Sequence, residues 1–520
     1  MLSYGSRKIA EEWRRGNALS GFSFRGGELG SARSMKTILI FLLAVAPVLA
    51  APFQATGFKV GEVTGTTAIV WTRLTAKAKA NPATAPTLTF QYTGGETFQP
   101  DLKKRPKHPP TRLNGIKYTT KGGVDDIRYA APGVRGEVRI LYSSEIKAAK
   151  QSMKNTSWQA VDAKADFTRQ FKLTGLQPNT RYDVIVETRG VDGVMGQKLS
   201  GQFKTAPAKG QAERVVFTVS TGQTFRHQDR PDGFEIYPSM LKLKPNFFVH
   251  TGDIVYYDGL ARSKDLAHWH WQRMYSLPTN ADFHTKVASY FIKDDHDTWK
   301  NDCWPAMESK GMYQFSFKQG VKIFPQQVPM GDKTYRTVRW GKDLQIWMVE
   351  GRDFRSPNKA PDGPEKTIWG AEQKAWFKKT VTESDAAYRV LISPTPIVGP
   401  DRTSKHDNHS NVNFTHEGDE LRAFIAKQKN MVVVCGDRHW QYMSIHPKTG
   451  VREYSCGPAS DQHAGGWKKN DFRKDYHKYL NVTGGFMSGT VERKGGRPTL
   501  TFRWHDVKGK VLNTDILENK

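Results

Sequence analysis

At 520 residues, the chain is too long for one ordinary core, so two or more domains are expected. Apolar residues make up 38% and aromatic residues 11%, which excludes a disordered or low-complexity protein. The formal net charge of +27 points to anionic partners (phosphate esters, nucleic acid, anionic polymers or a membrane surface) or to a solvated basic face.

No RNA-binding aromatic motif or recognition-helix pattern accompanies that charge, and no stable nucleic-acid complex is expected. In chain order, the first signal is a leader. Met35-Lys36 precedes an apolar stretch, 37–51, that ends in small residues. This predicts a Sec-type signal peptide cleaved near Ala50 and a secreted or periplasmic protein. The stretch is too short for a membrane span, and none is expected in the mature chain. Residues 1–34 lack any such pattern, so 1–50 reads as a mis-called start plus the signal peptide. Arg14-Arg15 lies too far upstream to serve as a twin-arginine signal.

Residues 51–206 read as an all-β domain. Thr67–Thr72 and Val138–Tyr142 have strand character. Tyr182 follows a Pro turn and precedes the alternating run Asp183–Thr188, the tyrosine-corner pattern of Greek-key sandwiches. This resembles a fibronectin-III-like sandwich closing at Gly201–Pro207. The stretch 76–135 is rich in Pro, Gly and Lys, and its run Lys103–Lys107 reads as an anion-binding or solvated loop. Residues 207–213 read as a linker.

From 214 the texture changes. Strand-like runs at Val215–Val219, Phe247–Val249, Val287–Ile292, Leu344–Val349, Val390–Ile392 and Met431–Cys435 alternate with helical segments. The helical segments are Gly233–Leu243, Leu266–Tyr275, Gly370–Val381 and Glu417–Lys427. That alternation predicts a layered α/β domain over 214–520, closed by a hairpin near Thr490–Trp504. Cys303, Cys435 and Cys456 form no disulfide framework. Cys435 reads as a buried small hydrophobe, and pairing of Cys303 with Cys456 is left open.

Three polar clusters follow apolar runs: Thr251–Tyr257, Asp294–Asp297 and Gly436–His439. Ligand sites of open α/β sheets form beyond the carboxyl ends of strands. Asp and His converging from several strand ends suit a hydrolytic metal site, with Asp253 placed to bridge two cations. A lone Gly-Asp is usually a turn, and a lone His is usually structural; the conjunction carries the reading of a secreted metal-dependent phosphoesterase.

The order Gly-Asp-Ile-Val-Tyr, Asp-Asp-His-Asp, Glu350–Arg355, Trp369–Trp376 and Gly-Asp-Arg-His resembles the alkaline phosphatase D (PhoD-like) family across most of 53–515. The resemblance implies a calcineurin-like four-layer α/β/β/α fold behind an N-terminal β-sandwich. It implies hydrolysis of phosphomonoesters and/or phosphodiesters outside the cytoplasm by a cluster of two or more metal ions, iron and calcium in type. By position it implies metal ligation by Asp253, Tyr256, Asp295, Asp437 and His439, with His296 at the active site. Arg352 takes a phosphate-binding or structural role, and Asn301 contacts phosphate.

One departure stands out. Where the family's first motif carries an iron-ligating Cys, this chain has Gly222. Asp297 replaces a usual Glu, a milder change. The segment 405–409 (Lys-His-Asp-Asn-His) repairs the site, lines its entrance or is a polar loop. Gly222 also motivates two rival readings: a degenerate scaffold binding anionic polymers without turnover, and a secreted phosphodiesterase or nuclease.

Overall fold

A computed structural model describes residues 51–99, 113–144, 153–402, 404–467 and 472–518. The leader expected up to Ala50, Arg14-Arg15 and the run 103–107 lie outside the described residues.

Two large β-sheets pack face to face. The first has nine strands. At its centre Val215–Ser220, Phe247–His250 and Ala288–Phe291 run parallel. Antiparallel strands Phe486–Lys494, Arg497–His505 and Val511–Glu518 extend one side. On the other side Phe58–Gly61 pairs in parallel with Ala288–Phe291, followed by Ala68–Arg73 and Thr168–Leu173. Strands from before 206 and after 214 therefore share one sheet. The second sheet has seven strands. Four of them, Leu344–Met348, Tyr388–Ser393, Met431–Cys435 and Arg452–Cys456, are parallel neighbours.

Strand geometry explains the layering, because successive side chains leave opposite faces. Phe217, Val219, Phe247 and Val249 share one core with Ile346, Val390, Val432 and Val434 of the other sheet. Phe248 and Phe291 face outward onto helices that include Ile236–Lys242, Lys264–Tyr275, Pro278–His284 and Phe317–Gln327. On the far side Trp347, Leu391 and Val433 meet helices Gly370–Thr382 and Thr415–Ala426. The result is an α/β/β/α stack. Strands covered on both faces are apolar at successive positions, which is why they were visible as continuous runs. Each fully buried Val, Leu, Ile or Phe contributes about 1.5–3 kcal/mol.

A smaller antiparallel sheet holds Met195–Lys204, Arg181–Arg189 and Glu137–Ser144. Tyr182 stacks on Phe203, and its hydroxyl accepts the Gln177 N–H at 2.8 Å, the tyrosine-corner contact. Within the Pro-, Gly- and Lys-rich stretch 76–135, Leu88–Tyr92, Thr97–Phe98 and Leu113–Tyr118 form a three-stranded sheet. Leu88 and Phe90 alternate inward onto Leu260, Leu266 and Trp269, which outweighs the Pro-, Gly- and Lys-rich composition around them. Cys303, Cys435 and Cys456 are buried and free. Among the described residues no helix is long and apolar enough to cross a membrane.

Candidate metal centre

Parallel strands of both sheets end at one edge, and the polar clusters follow those ends. Strand Val215–Ser220 leads to Gly222, Phe247–His250 to Asp253, Ala288–Phe291 to Asp294–Asp297, and Met431–Cys435 to Asp437 and His439. The sheets approach closely here. A Cβ on Gly436 would come within 2.5 Å of Thr251 Oγ1, so only glycine fits. Asp253 and Asp437 both adopt left-handed backbone, with φ of 58° and 62°. Such conformations cost free energy and cluster at functional sites.

Two donor sets meet at Asp253. Ligand atoms of Asp253, Asp295 and His296 lie within 4.8 Å of one another, as do those of Asp253, Asp294 and Asp437. Tyr256 Oη lies 3.2 Å from Asp253 Oδ2 and 3.3 Å from His439 Nε2. It also lies 3.1 Å from Nε2 of His463, a residue the sequence reading did not select. His439 Nε2 is 3.9 Å from Asp253 Oδ2. The structure thus gathers Asp253, Tyr256, Asp295, His296, Asp437 and His439 at one place. Asp253, Asp294 and Asp295 are buried at its floor, and Tyr256, His296, Asp437, His439 and His463 form a partly exposed rim.

The residues fit a metal cluster. Asp253 Oδ1 and Asp294 Oδ2 are buried and have no hydrogen-bond partner among the described residues. Orphaned carboxylate oxygens are costly, and a cation among them supplies the missing partner. Carboxylates suit hard cations, while imidazole and phenol extend the set to iron, manganese or zinc.

The electrostatics point the same way. Burial pushes the Asp253 carboxyl up to about 7; His296 opposes that rise, and Asp295 adds to it. Burial works against protonated His296, yet Asp258, Asp295 and Asp253 hold its imidazole well above the usual range. Burial, with Arg438 beside it, takes His439 down to about 3. Burial, with His439 beside it, takes His463 down to about 2. Those two rings are neutral at neutral pH, the form that binds metal.

Arg352 and Asn301 sit elsewhere. Arg352 is fully buried behind the floor, its Nε donating to Asp294 Oδ1 at 2.6 Å and its Nη2 lying 3.8 Å from Asp295. Lys293 pairs with Glu350 and Asp353 at 2.5 and 2.6 Å. The 293–295 and 350–353 segments therefore interlock across the two sheets. Asn301 is exposed, and its backbone N–H donates to Asp258 Oδ2 at 3.4 Å. Asp297 accepts the N–H groups of Ile254 and Asp294, tying two site loops together.

Further residues escaped the sequence reading. Asp258 Oδ1 holds His296 Nδ1 at 3.0 Å, and the Tyr256 ring lies over the imidazole with centroids 4.3 Å apart. Asp258 stands two residues after Tyr256, a signal that was available. Buried Arg438 contacts Asp437 and pairs with Asp401. In the 405–409 segment, Asp407 is buried near Lys405 and Arg438, His409 pairs with Glu417 at 2.9 Å, and His406 is exposed.

The chain is similar in fold to two solved phosphatases. The structure of PhoD shares 15% identity at a TM-score of 0.67, covering 91% of this chain and 92% of that one. The purple acid phosphatase PPD1 from yellow lupin (Lupinus luteus) seeds shares 12% identity at a TM-score of 0.54, covering 89% and 74%. No curated protein matches the chain in sequence. The model of the PhoD-like phosphatase family matches residues 217–487, just over half of the chain and the whole stretch from Gly222 to His463. The chain belongs to the PhoD-like phosphatase family.

Proposed function

We propose that this protein is a metal-dependent phosphoric ester hydrolase acting on phosphomonoesters, phosphodiesters or both. The carrying observation is Asp253, a buried carboxylate shared by two donor sets, whose Oδ1 has no hydrogen-bond partner among the described residues. In this reading Asp253 would be shared by two cations, held with it by Asp295, Asp294 and Asp437, while His296 stands beside them without ligating. Tyr256 and His439 complete the ligand set. Bound cations would lower the pKa of water and offset phosphoryl charge.

The chain's own groups supply the rest. Asp258, Asp295 and Asp253 hold His296 in its protonated form; Nδ1–H donates to Asp258 Oδ1, and Nε2–H is left to give a proton to a phosphoryl or leaving-group oxygen. Arg352 acts as a positioning residue, because its guanidinium is spent on Asp294. Calcium and iron remain the proposed metals by resemblance. The leader at 37–51 supports secretion, and the Tyr182 corner supports a fibronectin-III-like arrangement of the strands within 51–206, three of which continue the nine-stranded sheet.

Hydrolysis of p-nitrophenyl phosphate and bis(p-nitrophenyl) phosphate tests the reading. Their rate ratio sets the ester class. Failure on both with Ca, Mn, Fe and Zn would favour the anion-binding scaffold.

A further inference from the structure

Gly222 offers no side chain to the centre, yet the space beside it is filled. A Cβ at 222 would lie 3.3 Å from His439 Nε2 and 3.3 Å from His463 Cε1. The backbone there is left-handed, with φ of 41°. Glycine thus leaves room for a second imidazole, and His463 takes it from a loop far along the chain.

That loop is tied down. Its short helical turn is Asp461–His463. The Gly222 carbonyl accepts the Ala459 N–H at 3.0 Å and lies 3.1 Å from His463 Nδ1. A carbonyl only accepts, so Nδ1 must be the protonated nitrogen. The lone pair is then on Nε2, which faces Tyr256 Oη at 3.1 Å and Thr224 Oγ1 at 3.3 Å. An imidazole held through one N–H by a backbone carbonyl, with the other nitrogen free to bind, is the usual arrangement of a metal-ligating histidine. The His439 and His463 rings lie 4.1 Å apart, with both Nε2 atoms beside the same phenol oxygen.

We propose that His463 is a metal ligand, completing with Asp253, Tyr256 and His439 the donor set around one cation. Two imidazoles, a phenolate and a carboxylate form a set for a transition-metal ion rather than calcium. Calcium is then confined to the all-carboxylate side at Asp294 and Asp437. This assignment rests on the metal-centre reading above.

The test uses the full chain and Co2+ as probe. Binding is followed by optical titration, and ligand type by X-ray absorption at the cobalt edge. Variants are His463→Ala, His463→Gln to preserve side-chain bulk, and Asp253→Asn, each checked by circular dichroism. Loss of an outer partner already weakens metal sites by about 10–100-fold, so both His463 variants should weaken the tight site by on the order of 100-fold or more. The imidazole scattering should fall as well. A folded His463 variant with wild-type affinity and wild-type imidazole scattering overturns the ligand role and leaves the metal centre standing. A wild-type chain that takes up no Co2+ overturns the centre itself, and so does an Asp253→Asn variant that binds as wild type.

Discussion

Replacing Arg352 with alanine should unfold the site from beneath. The guanidinium and the Asp294 carboxylate have no exposed surface. The side chain donates to Asp294 at 2.6 Å, reaches the Cys303 carbonyl at 3.5 Å and lies 3.8 Å from Asp295. Alanine leaves both carboxylates buried without that countercharge. Removing one partner of a buried pair costs about 3–5 kcal/mol, and loss of the packed aliphatic stem places this case near the upper end. Lysine keeps the charge without the planar fork and should lose less. The assay is urea unfolding of the metal-free chain, followed by tryptophan fluorescence and circular dichroism. An alanine variant within about 1 kcal/mol of wild type, well below that range, but without turnover would refute the reasoning and put Arg352 on the substrate.

His296→Asn should slow poor leaving groups such as phenyl phosphate by about 10²–10⁴-fold and spare p-nitrophenyl phosphate; equal loss on both would contradict proton donation. Asp258→Asn should show the same selectivity more weakly, because it acts only through His296; leaving-group series of the two variants make the comparison. Glu417 gives an acid limb to stability. Burial works to raise its pKa, but His409, the Ile368 N–H and Thr367 take it down to about 2. Its folded pKa is depressed, so its contribution is complete above pH ~4.5 and is lost as pH falls toward 2. The amount is on the order of 3 kcal/mol. Acid unfolding of Glu417→Gln should be flatter across that window than that of wild type, and equal slopes would exclude the role.

What could be read from sequence follows from where chain neighbours decide structure. The runs ending at Ser220, His250, Phe291 and Cys435 were legible because both faces of those strands are buried. Asp253, Asp437 and His439 were legible because each follows such a run by a few residues. His463 was not, because it meets Tyr256 across 207 residues from a short turn with no periodic signal. Asp294 and Asp295 are adjacent, and only the folded loop shows both within the donor sets. The parallel pairing of Gly61 with Ser289 is likewise a long-range choice no local pattern encodes. Arg352 kept two roles open in sequence, and its burial on Asp294 favours the structural one.

The most direct test of the account is turnover of p-nitrophenyl phosphate and its bis ester by chelator-stripped protein, with and without added Mn2+, Ca2+, Zn2+ or iron, beside Asp253→Asn. The account predicts that stripped wild type is inactive, that metal restores it, and that folded Asp253→Asn stays inactive under every addition. Restoration of Asp253→Asn to wild-type rates, or full activity of the stripped enzyme, would contradict a metal cluster bridged by Asp253.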